Sequence, residues 1–284
     1  MLKLLKRRKK VDPARRLREV LGDYELPSFP SVLVSALEKV RDPDSSPREI
    51  GDTVGADPGL SVRLLGTVNS PAFGLRNRVR SIDHAISLLG RDQLESLLIS
   101  MAASRSLPSK PARGFEPARF WSTAAMRATT ARALADRIDP STRSESFTAS
   151  LLQDLAIPLL SHRKGDEYGA LLEQWHHGGD DLASMERSEF GWDHAELGGA
   201  ICERWHLPER QARAIAEHHD QSGDEPPALH AVRLVSVLRE TGEEAGIEGL
   251  IEKARDEYGV PADETAELVR QSFEDAQAIS KMFA

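Results

Sequence analysis

SIDHAISLLGRDQLESLLISMAAS, running from Ser81 to Ser104, decides the fold class. Leu94, Leu97, Leu98 and Met101 recur at the three- and four-residue spacing of a single helix face, with no period-two alternation. Gly90 suits the left-handed turn that ends a helix, so the stretch predicts one helix from near Ser81 to Gly90 and a second from about Asp92 to the Ser104 region. Upstream, Val32, Leu33, Ala36, Leu37 and Val40 form a similar stripe. Ser46-Pro47 and Asp57-Pro58 each put a capping side chain before a proline, whose missing N–H costs nothing at the first helical position.

Downstream, Leu107-Pro108-Ser109-Lys110-Pro111-Ala112-Arg113-Gly114 interrupts the periodicity, because two prolines and a glycine rule out a continuous helix. Helical patterns resume over Phe120 to Arg137, Ser144 to Leu160, Glu167 to Trp175, Leu182 to Glu189, His194 to Trp205 and Pro208 to His218. Three more cover Leu229 to Glu240, Ile247 to Tyr258 and Ala262 to Met282. No hairpin dipeptide joins apolar runs, and no repeat of fixed period is present. The pattern predicts an all-α protein. Its expected parts are a basic flexible tail over 1–18, an N-terminal helical subdomain over 19–107, a linker over 108–117, a second helical subdomain over 118–222, and C-terminal helices over 223–284.

The 284 residues are 40% hydrophobic and 29% charged, the composition of an ordered globular chain. Cys202 is the sole cysteine, which excludes an internal disulfide and a cysteine zinc cluster. The basic start is followed by Val11-Asp12-Pro13 instead of an apolar signal region, and no uncharged apolar run reaches membrane-spanning length. The expectation is a cytoplasmic protein. Nine basic residues against Asp12 give the first 18 residues a charge of +8, which leaves −16 on the other 266 within a total of −8. An acidic body repels phosphates, so nucleic acid is not an expected partner, whereas the tail suits weak contact with an acidic or membrane surface. Ser46 to Val68 could pass for a helix-turn-helix, but its second helix offers Arg63 alone as a donor to DNA.

Two sets of motifs carry a resemblance. The first comprises Leu26-Pro27-Ser28-Phe29-Pro30, Asp42-Pro43-Asp44-Ser45-Ser46, Asp57-Pro58-Gly59-Leu60, Asn69-Ser70-Pro71-Ala72-Phe73-Gly74 and the Ser81–Gly90 stretch. The second comprises Phe190-Gly191-Trp192-Asp193-His194-Ala195-Glu196-Leu197-Gly198, Trp205-His206-Leu207-Pro208 and His218-His219. Together, over about residues 20 to 220, they resemble the HDOD family, degenerate relatives of the HD and HD-GYP metal phosphohydrolases. The resemblance implies an N-terminal helical bundle packed on an HD-like helical core, with the 223–284 helices completing or flanking that core.

Hydrolytic HD proteins hold divalent metal with an early histidine, an adjacent His-Asp pair and a distant aspartate, and the metal activates water. Aligned on that pattern, this chain has Thr123, Gln153 and Ser236 where ligands are lost, and keeps the aspartate as Asp154. A neutral amide and two hydroxyls neutralise a divalent ion poorly. Asp154, His194, His218 and His219 are then expected to form a vestigial pocket, with no catalytic residue, no bound metal and no cofactor. The resemblance implies a bacterial, non-catalytic regulatory scaffold for signal transduction, acting through protein partners. The alternative is a metal-dependent phosphohydrolase or phosphodiesterase with a reduced site on the same four residues.

Overall fold

Helix starts follow the side chains that can cap them. Asp57, Asp181 and Asp193 accept the backbone N–H groups of Leu60, Ser184 and Glu196 at 2.9, 3.1 and 2.8 Å. Ser46 and Glu49 form a reciprocal capping box. The computed structural model describes residues 13–22, 26–75, 77–178, 180–220, 226–239 and 244–283. Among these the fold is all-α, and the one extended pairing is an isolated bridge between Ala112 and Phe115. Before the proline-rich segment run α1 (Pro13–Leu21), α2 (Ser31–Arg41), α3 (Pro47–Gly55), α4 (Pro58–Val68), α5 (Ile82–Leu89) and α6 (Arg91–Ser106). After it come α7 (Pro117–Ile138), α8 (Arg143–Leu152), α9 (Ala156–Lys164), α10 (Asp166–His176), α11 (Leu182–Phe190), α12 (His194–Arg204), α13 (Glu209–Ala216), α14 (His230–Val235), α15 (Glu244–Tyr258) and α16 (Ala262–Phe283). None of these helices is long and apolar enough to cross a membrane.

The apolar stripes read from the sequence are buried: Leu33, Ala36, Leu94, Leu97 and Leu98 have no solvent contact. One hydrophobic core runs from these helices into α7, α8 and α9 without a break. The family motifs make the joints between the two parts. Trp205 Nε1 donates to Pro27 O at 2.9 Å, and its ring lies 4.9 Å from that of Phe29. Phe73 packs on the Arg132 guanidinium at 4.9 Å, with Phe147 on the same group at 5.8 Å. Burial pushes that guanidinium's pKa down to about 10, with the Arg143 charge adding to the effect. Asn69 ends α4 and clamps the loop behind it, donating to Val79 O at 2.9 Å and accepting from Val79 N at 2.7 Å.

Two expectations change. Residues 13–18, assigned to a flexible tail, begin α1, because Leu17, Val20 and Leu21 bury one face while Arg16 pairs with Glu196 at 2.9 Å. Residues 1–12 lie outside the described residues. The single helix expected over Ser144 to Leu160 is two, α8 and α9, parted at Gln153–Leu155. Pro158 explains the break: in a continuous helix its ring would meet the carbonyl of Asp154, four residues earlier, and no N–H would reach that carbonyl. Ile157 N donates to Asp154 O instead, at 2.9 Å.

Candidate functional site

Four elements deliver the site. Asp154 sits in the break between α8 and α9, so its carboxylate leaves the helical row and turns toward α12 and α13. Gly191 ends α11 in a left-handed turn and Asp193 caps α12, which sets His194 at the first position of that helix. His218 and His219 follow the end of α13. The two helices approach closely enough that a Cβ on Gly199 would lie 2.5 Å from Ala216 Cβ. That approach carries the three imidazoles to one point.

Nε2 of His194 lies 3.0 Å from Nε2 of His219 and 3.4 Å from Asp154 Oδ1. His218 Nε2 lies 3.4 Å from the same carboxylate oxygen. One donor atom from each of Asp154, His194, His218 and His219 falls within 4.8 Å of all the others. Asp154, His194 and His218 are buried, and His219 is partly exposed. The remaining ring nitrogens are anchored: His194 Nδ1 donates to Glu186 Oε2 at 2.6 Å, and His218 Nδ1 donates to Ile215 O at 2.7 Å. Glu186 is fully buried and also accepts from His194 N at 2.7 Å and from Tyr168 Oη at 2.5 Å. Burial would raise the Asp154 carboxyl, but the Arg127 charge and the two histidines outweigh it and hold the group well below the ordinary carboxylate range. Burial pushes His219 well down, aided by the neighbouring imidazoles. In His194 burial is overridden by the Glu186 and Asp154 carboxylates, which lift it well above the usual value.

On the other side of Asp154, Arg127 of α7 grips Oδ2 with Nη1 and donates Nε to Leu238 O at 2.7 Å, so its guanidinium is fixed at both ends. This pair forms part of the wall of a cavity of about 50 Å3, which Thr123, Ile157, Arg119 and Arg239 also line. None of the three histidines reaches that wall. Thr123 is buried one turn before Arg127, and Ser236 spends its hydroxyl on Arg233 O at 2.7 Å. Gln153 is buried with both amide atoms lacking a hydrogen-bond partner.

The sequence motifs single out Asp154, His194, His218 and His219, and the fold brings these four together. Arg127, Glu186 and Tyr168 were missed. Arg127 follows Thr123 by four residues, one helical turn along the same face, so a signal for it was present. A family model described as the HDOD domain matches residues 26–221.

The chain belongs to the HDOD family. This HDOD chain is 27% identical over 197 residues to an uncharacterized protein of Treponema pallidum (strain Nichols), covering 69% of the chain and 38% of that protein. It thus spans well under half the length of that relative. A solved structure from Shewanella amazonensis, provisionally named a phosphohydrolase, superposes with a TM-score of 0.73 at 22% identity, covering 96% of this chain and 98% of that one. A Marinobacter aquaeolei structure, provisionally named a signal transduction protein, gives 0.71 at 19% identity and covers 95% of this chain and 65% of its own. A Geobacter sulfurreducens HDOD domain protein of unknown function gives 0.62 at 19% identity, covering 95% and 92%. At these identities the likeness shows the shared fold.

Proposed function

We propose that this HDOD chain is a regulatory module of signal transduction that works by engaging protein partners and does not hydrolyse phosphoesters. The observation that carries the reading is the Arg127–Asp154 pair. Phosphoester hydrolysis of the HD type needs a water-bearing metal beside the substrate, and here the cavity meets Asp154 through a guanidinium held on Oδ2. Thr123, Gln153 and Ser236 supply no imidazole or carboxylate to recruit a metal on that side. The Marinobacter protein's name agrees with this reading.

A second reading, a metal-dependent phosphohydrolase with a reduced site, is favoured by the convergence of Asp154, His194, His218 and His219. A divalent ion held there would acidify a bound water. The phosphohydrolase name of the Shewanella protein points the same way. Assays of cyclic dinucleotides, nucleotides and an aryl phosphate with manganese, iron, nickel or magnesium separate the two. The expected result is no turnover above background. Turnover that vanishes in a His218→Ala, His219→Ala double variant would replace the first reading with the second.

A further inference from the structure

We propose that the cavity beside Arg127 binds a small organic monocarboxylate, whose oxyanion head meets Thr123 and Arg127 and whose apolar body lies against Phe120 and Trp175. The inference gives the regulatory module a small-molecule input, and the binding claim does not depend on the regulatory reading. Its basis is a pair of buried donors with unspent hydrogens. Arg127, 4% exposed, spends Nε on Leu238 O and Nη1 on Asp154, and among the described residues no acceptor meets its Nη2. Thr123, 7% exposed and one turn earlier on α7, has no hydrogen-bond partner for its hydroxyl among the described residues. Both residues line the cavity, so its interior is the space into which these donors open. An oxyanion there accepts from both, and the bond from the guanidinium is charge-assisted.

The surroundings select the ligand. Arg119 continues the same α7 face one turn toward the surface, where it is exposed, and Arg239 enters from the segment after α14. Against these three guanidinium groups the lining holds two carboxylates, Asp154 and Glu116. Burial lowers the pKa of His176, and the Arg119 charge adds to the effect, so that ring contributes no charge near neutrality. A cleft of positive balance on an acidic body concentrates anions. Ile157, Leu172 and the two aromatic rings make the rest of the wall largely apolar, and few polar groups converging in an apolar cleft is the usual make-up of a small-molecule site. A planar carboxylate brings two oxygens and one charge. A phosphate dianion would set a second charge near Asp154, whose own charge already cancels that of Arg127. The wall stands ready before a ligand arrives: Gly114, at φ +67°, packs so closely on α10 that a Cβ there would lie 2.6 Å from Gly169 O, and its carbonyl lies 3.2 Å from His176 Nε2.

The test titrates benzoate into the full chain by calorimetry, with benzamide, benzylamine and phenyl phosphate as comparison probes. Benzoate should bind at one site per chain, raise the melting temperature and bind less tightly as salt is added. Benzamide, which keeps the shape without the charge, and benzylamine, which reverses it, should each bind roughly tenfold more weakly or worse. Thr123→Val removes the hydroxyl at nearly constant volume and should weaken benzoate by roughly tenfold. Arg119→Ala should weaken it severalfold and flatten the salt dependence; Arg119 is exposed, so this variant remains informative if the buried substitution disrupts folding. No saturable benzoate binding up to millimolar concentration, equal affinity for benzamide, tighter binding of phenyl phosphate, or affinity unchanged in both variants overturns the proposal. Turnover is measured separately. Metal-dependent hydrolysis of phenyl phosphate would sink the regulatory reading alone, and failure to bind benzoate would sink this one alone.

Discussion

Glu186 receives three hydrogen bonds on two oxygens, from Tyr168, from the His194 backbone and from the His194 ring, with no exposure to solvent. Removing one partner from a buried charged network leaves the others without compensation, at about 3–5 kcal/mol. Glu186→Ala is therefore expected to lose stability of that order in urea unfolding, and Glu186→Gln, which keeps the shape and one good acceptor, about 1–3 kcal/mol. Equal midpoints for both variants and the parent chain would show that the carboxylate does not hold His194. Asp154 and the three histidines were legible because they fall in ordered motifs. Glu186 was not: within Met185-Glu186-Arg187-Ser188-Glu189 nothing in the pattern marks which carboxylate turns inward, since burial is decided by the packing of α11 against α10 and α12.

Gly199 lies inside α12, where alanine is ordinarily the better helix former by about 1 kcal/mol. Here the gain is opposed by the 2.5 Å approach to Ala216 Cβ, two residues before His218. Gly199→Ala is expected to destabilise the chain by about 1–3 kcal/mol through overpacking and to push the end of α13 away from His194. Thermal melting reads the first effect and histidine NMR shifts read the second; a more stable variant with unchanged shifts would contradict the account. Helix existence was legible along nearly the whole described chain, because capping residues and apolar stripes both signal locally. The parting of α8 from α9 carried a local signal too, in Pro158, which the strength of the surrounding periodicity masked. The packing of α1 on α12 had no such signal, since the charges on Arg15, Arg16 and Arg18 point to solvent until a partner surface is supplied.

At the scale of the molecule, α16 runs antiparallel to α7 and also meets α4, α6 and the Pro71–Phe73 turn, so one helix touches both parts. Its contacts run the length of α7: Arg137 pairs with Glu264, Thr129 Oγ1 donates to Ser272 O at 3.0 Å, and Trp121 stacks on Phe283 at 5.6 Å. Uncovering Val269, Ile279 and Phe283 alone costs roughly 5–9 kcal/mol at about 1.5–3 each, comparable with the net stability of a whole domain. A chain ending at Pro261 is therefore expected to lose cooperative unfolding, with red-shifted tryptophan emission and binding of a hydrophobic dye. A truncated chain that melts in one sharp transition would show that the two parts stand without this clasp.

Pro158 lends the site an unusual kind of vulnerability. Asp154 faces the histidines because a hydrogen is missing four residues further along the chain, and that hydrogen belongs to no motif. Replacing the proline with alanine would restore the N–H, favour one unbroken helix from α8 into α9, and swing the carboxylate back into the helical row. Every residue by which the site is recognised would still be in place. A lineage could thus lose its pocket silently, while a scan for those four residues went on reporting it intact.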